Sequence, residues 1–75
     1  MKLSLSRKPS NNQVLASAVE YANELYAQNK VVDNETLTTV VAGLATLYAS
    51  EHKGVNQEQL NLFMSALIHT YRSQQ

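Results

Sequence analysis

Apolar residues recur along this chain with one spacing, three times over. Leu15, Ala18, Val19, Ala22, Leu25 and Tyr26 form the first set, and Leu37, Val40, Val41, Leu44, Leu47 and Tyr48 the second. Leu60, Phe63, Met64, Leu67, Thr70 and Tyr71 form the third, with Thr70 in the fifth place. Successive members lie 3, 1, 3, 3 and 1 residues apart. That spacing keeps one face of a 3.6-residue helix apolar for three turns. It predicts an all-α chain: three short amphipathic helices in a small bundle.

The punctuation between the stripes supports this division. Ser10 precedes the first stripe with Gln13 three residues on, the spacing of a capping box. The first helix is predicted over about 11–28, with Asn29 a left-handed cap residue. Asp33 caps a second helix over about 34–53, with Val32 stapled to Leu37 and Glu35 favourable in the first turn. His52 and Lys53 suit that helix's C-terminus, and Gly54 is free to take the positive φ that ends it. Asn56 and Gln59 form another box, Val55 staples to Leu60, and the third helix spans about 57–73. Short loops make sequential neighbours roughly antiparallel. The domain is therefore 10–75, preceded by a flexible basic arm, 1–9.

Composition narrows the rest. In 75 residues there is no cysteine, so neither disulfides nor thiolate-held metal can staple a core that is only marginal at this size. No segment reads as a signal peptide or a membrane span: the longest uncharged run, 36–50, has 15 residues and four threonines. The reading is a soluble, cytoplasmic protein.

That same run predicts an assembly. Opposite the Leu37–Tyr48 stripe lie Thr39, Gly43, Thr46 and Ser50, where a solvent-facing helix normally carries Lys and Glu. Gly43 costs a helix interior roughly 1 kcal/mol relative to Ala. The expectation is a homodimer through the middle helix, with Leu62 and Tyr21, which point off their stripes, as further interface candidates.

Net charge is zero but unevenly placed. Lys2, Arg7 and Lys8 precede any acid, whereas three bases face six acids from residue 9 onward. A basic arm on an acidic body makes Lys2, Arg7 and Lys8 candidates for nucleic-acid contact. No helix carries the basic face that a recognition helix lays in a groove.

Catalytic chemistry is not legible. His52 and His69 lack metal-ligand spacing, and Glu20 and Glu24 read as a solvated i, i+4 pair. The only glycines, Gly43 and Gly54, make no phosphate loop, and no nucleophile has an adjacent base. The expectation is no enzyme, no cofactor and no metal. The tyrosines ending the stripes read as core-edge residues split between opposite ends of the bundle.

The segment Val14-Leu15-Ala16-Ser17-Ala18-Val19, the Val32-Asp33-Asn34 helix start and the Leu60–Arg72 helix resemble the small enterobacterial biofilm and acid-resistance regulators typified by AriR (YmgB). The resemblance spans roughly 11–72. It departs at Gln28-Asn29, where a glycine is expected, and at Leu47-Tyr48, where a Leu-Glu pair is expected. Leu60-x-Leu62-Phe63-x-Ser65-Ala66 is similar to the Hha-like nucleoid-associated proteins. The first resemblance implies a bacterial, non-enzymatic helical dimer that regulates through protein partners, with weak DNA contact. From the residues themselves, the leading reading is a small regulatory or adaptor protein acting by protein–protein interaction. The alternatives are a nucleic-acid-associated regulator using the arm, and a phage- or plasmid-encoded inhibitor of a host protein.

Overall fold

A computed structural model describes residues 9–28 and 33–74. Within them the chain forms three helices, α1 (Asn11–Gln28), α2 (Asn34–Glu51) and α3 (Gln57–Ser73), and no strand. Each start has the chemistry its sequence promised. Ser10 and Gln13 exchange hydrogen bonds, Gln13 N–H to Ser10 Oγ at 3.2 Å and Ser10 N–H to Gln13 Oε1 at 2.9 Å. Asp33 accepts from Thr36 N–H at 3.0 Å. Asn56 and Gln59 close the second box, Gln59 N–H to Asn56 Oδ1 at 2.8 Å and Asn56 N–H to Gln59 Oε1 at 3.4 Å. These bonds satisfy amides that a helix start leaves without intrahelical partners. The expected Asn29 cap and Val32 staple lie outside the described residues.

α2 ends two residues earlier than its pattern suggests. His52 is its C-cap, its N–H donating to the Tyr48 carbonyl at 2.9 Å. The His52 ring stacks on Tyr48 with centroids 4.3 Å apart, and the His52 backbone is non-helical, φ −123° and ψ 84°. Gly54 then takes φ 98°, the left-handed region that glycine enters without penalty.

α3 is the central helix. It packs against both others, whereas no Cα of α1 comes within 8 Å of one of α2. α1 and α3 run parallel: Gln59 at the start of α3 bonds Pro9 and Asn11, and Gln74 at its end bonds Asn23 of α1 at 2.6 Å. α2 runs antiparallel to both, its Asn34 Oδ1 accepting from Arg72 Nη2 at 2.6 Å at the far end of α3. Tyr26 and Tyr71 meet edge-on, with centroids 5.5 Å apart, at that end. Tyr48 lies at the other, stacked on Phe63 at 4.5 Å.

The buried stripes are rotated from the expected ones. α1 buries Val14, Ala18 and Ala22, while Leu15 and Val19 stand 37% and 41% exposed. α2 buries Leu37, Val41, Ala45 and Tyr48, while Leu47 is 56% exposed. Two causes act together. Alanines at 18, 22 and 45 let backbones approach closely where larger side chains would hold them apart. Tyr21 swings α1 the same way, its ring edge-on to Phe63 at 5.3 Å and to Tyr48 at 6.2 Å. An aromatic ring buries more apolar area than a flank valine, so the helix rolls toward Tyr21 and turns Leu15 and Val19 out. α3, covered on two sides, buries Phe63, Leu67 and Tyr71 fully and packs Leu60, Leu62, Met64, Ala66 and Ile68 around them.

Candidate interaction surface

α2 carries the surface that stands out. Between Glu35 and Glu51 it has no charged residue, and its side away from α3 exposes Thr36, Thr39, Gly43, Thr46, Leu47 and Ser50, with Val40 and Leu44 half-buried at the margin. Leu47 is the most exposed large apolar side chain among the described residues. A Cβ built on Gly43 would meet nothing within 4 Å. Packing within the chain therefore gives no reason for a glycine at that position.

The hydroxyls on this face are already engaged. Thr39 Oγ1 donates to the Glu35 carbonyl at 3.1 Å, Thr46 Oγ1 to Ala42 at 3.0 Å and Ser50 Oγ to Leu47 at 2.9 Å. Thr36 Oγ1 bonds Asp33 Oδ2 at 2.6 Å. A hydroxyl that bonds back to its own helix has its hydrogen already donated. The face is thus more apolar than its composition suggests, and covering it would leave no hydroxyl without a partner.

The other interface candidates are placed differently. Tyr21 is held between Phe63 and Tyr48, and Leu62 is half-buried against the core, so neither extends the α2 face. Burial raises the Tyr21 hydroxyl pKa above its ordinary value of 10.0, helped by Glu51, Tyr48, Glu24 and Glu20. Lys2, Arg7 and Lys8 lie outside the described residues. Arg72, the base on α3, is bonded to Asn34.

An open groove of about 460 Å³ runs beside Tyr48, lined by Pro9, Gln13, Ser17, Glu20 and His52 among others. It gathers a carboxylate and an imidazole, but His52 Nδ1 lies 3.2 Å from the Tyr48 carbonyl and its ring is stacked. His69 is exposed on α3. Among the described residues no three His, Cys, Asp or Glu side chains gather to hold a metal ion, and no helix is long and apolar enough to cross a membrane.

Reading the stripes alone assigned Leu47 to the core, and so missed it as a surface residue, whereas Val40 of the same stripe is half-buried. The usable signal was the alanines, Ala18 and Ala22 at i, i+4 in α1 and Ala45 in α2, because small side chains let helix axes approach. No family model, curated protein or solved structure matches the chain.

Proposed function

We propose that this protein is a non-catalytic regulatory or adaptor protein that acts through protein–protein contact as a helical homodimer, with α2 as the dimerising helix. The observation that carries the reading is the exposed, uncharged α2 face around Gly43, with Leu47 56% exposed and the hydroxyls of Thr39, Thr46 and Ser50 bonded to their own helix. A solvated helix face costs least when it carries charges. One that gives them up while keeping a leucine outward is suited to a partner.

Sedimentation of the wild-type chain and of Gly43→Leu tests this. The wild type should dimerise as concentration rises, and Gly43→Leu should sediment as a monomer with unreduced helical circular dichroism, because the site is open within one chain. A wild type that stays monomeric sinks the reading. So does a leucine variant that dimerises as well as its parent.

A further inference from the structure

We propose that the basic N-terminal segment of this chain, residues 1–8, docks back into the groove between α1 and α2, its cations against Glu20, Glu24 and Glu51. The inference is independent of the dimer reading and concerns a different surface.

No Cα of α1 comes within 8 Å of one of α2, so the two helices leave a valley over α3. Near the start of α1 that valley holds the groove of about 460 Å³ beside Tyr48 and His52, with Gln13, Ser17 and Glu20 on its α1 wall. A second hollow of about 470 Å³ continues along α1 past Tyr21 and Glu24, and Glu20 borders both. The acids of this channel converge on the Tyr21 hydroxyl. Burial raises its pKa, and Glu51 from α2 and Glu24 and Glu20 from α1 raise it further. All three carboxylates are exposed. The described residues hold two bases, Lys53 and Arg72, and Arg72 is bonded to Asn34 at the far end of α3. Three like charges around one hydroxyl favour a cationic occupant.

Attachment, charge and length name the chain's own segment as that occupant. Pro9 is buried and lines the groove, its carbonyl held by Gln59, so the preceding residues are joined to the body at the mouth of the channel. Residues 1–8 carry Lys2, Arg7 and Lys8 and no acid, together with Leu3 and Leu5, which suit Ala16 and the half-buried Tyr21. Seven extended residues, from Pro9 back to Lys2, reach about 23–25 Å. Glu24 lies about 20 Å along α1 from Asn11. Tethering sets the effective concentration at the order of mM, which suffices for contacts that are weak one by one.

Pro9 also borders a hollow on the α1–α3 side, with Asn56, Glu58 and Leu62. That hollow offers one carboxylate against three, so charge directs the segment to the α2 side. A docked segment is withheld from external anions, and its release governs how readily Lys2, Arg7 and Lys8 meet one.

The chain has no cysteine, so a single spin label can be placed at Ser4→Cys on the full-length chain. Broadening of backbone amide signals then reports where residue 4 lies. At about 0.01 M salt, where charges are little screened, signal loss over residues 13–24 and 48–52 should exceed that over 56–62 by roughly twofold or more. Raising salt to about 1 M, where the Debye length is about 3 Å, should remove the excess. So should Glu20→Gln, Glu24→Gln and Glu51→Gln combined, with unchanged α3 signals as the check on folding; the salt series needs no variant of the groove. Even loss along the chain, strongest loss at 56–62, or an excess that survives either treatment overturns the inference. So does an excess that persists in full when labelled and observed chains are separate molecules in a mixed sample, because the segment then docks on a second copy.

Discussion

The side chain of Gln59 donates its amide to the carbonyl of Pro9 across 2.8 Å, joining the start of α3 to the start of α1 fifty residues away in sequence. Its Nε2 also reaches Asn11 Oδ1 at 3.2 Å, and its Oε1 serves the capping box of α3. Gln59 is the buried polar residue of the core, 5% exposed, and each polar atom of its side chain has a partner. The bond ties together the starts of the two parallel helices, as Gln74–Asn23 ties their other ends.

Truncating that side chain should therefore cost more than an ordinary cap. Gln59→Ala leaves the buried Pro9 carbonyl without its donor and opens the box, a loss of about 1–3 kcal/mol. Gln59→Glu keeps the size but turns a carboxylate oxygen toward Pro9. It should destabilise at neutral pH and recover part of the loss in acid, where the carboxyl is protonated and can donate again. Urea unfolding at two pH values separates the two effects. A Gln59→Ala variant as stable as wild type would show that the bond is not a structural tie.

Asp33 supplies an acid-side pH dependence. The hydroxyl of Thr36 bonds its carboxylate at 2.6 Å and the Thr36 N–H at 3.0 Å, and these hold its pKa below the ordinary 3.8. Because the folded pKa is depressed, the stabilisation is fully present above the unfolded value and is lost as pH falls through the folded one. Asp33→Asn retains a good cap but has no proton to gain. Thermal unfolding from about pH 6 downward should thus decline less steeply below pH 3.8 in the variant than in wild type. Parallel curves would remove Asp33 as the source.

The rolled stripes make a sharp mutational contrast. Leu15→Lys and Val19→Lys alter side chains on the solvent margin and should shift stability by no more than about 1 kcal/mol. Val14→Lys and Ala18→Lys force an ammonium into positions with no exposure, and a domain this small should not fold with either. Circular dichroism on the four variants distinguishes the observed register from the one the stripe spacing suggests.

That contrast also marks how far sequence reasoning reaches. Helix starts were legible at Ser10, Asp33 and Asn56 because capping is local chemistry, settled within three residues. The number of helices followed from the period, and the opposite placement of Tyr48 from Tyr26 and Tyr71 followed from short loops. The rotation of each helix was not legible. It depends on which flank finds the better partner, and Tyr21 found Phe63 and Tyr48, residues 42 and 27 positions further along. The α2 surface was half-read for the same reason. Thr39, Gly43, Thr46 and Ser50 were evident from their lack of charge, whereas Leu47 joined them only once Ala45 had taken the place against α3.

Gly43 lets the cost of that surface be measured separately from its use. Within one chain a methyl group at residue 43 meets open space, so Gly43→Ala should gain the helix-propensity difference of about 1 kcal/mol and lose no contact. In a domain of this size that is a rise in Tm of about 4–8 °C. On the dimer reading proposed above, the gain should be complete in dilute solution, where the chains would not pair. It should shrink as concentration rises, because alanine holds two α2 helices further apart than glycine does. Differential scanning calorimetry across a concentration series reads both terms. A gain that is the same at every concentration would mean that Gly43 gives no advantage between chains, and the surface around it would lose its claim as an interface.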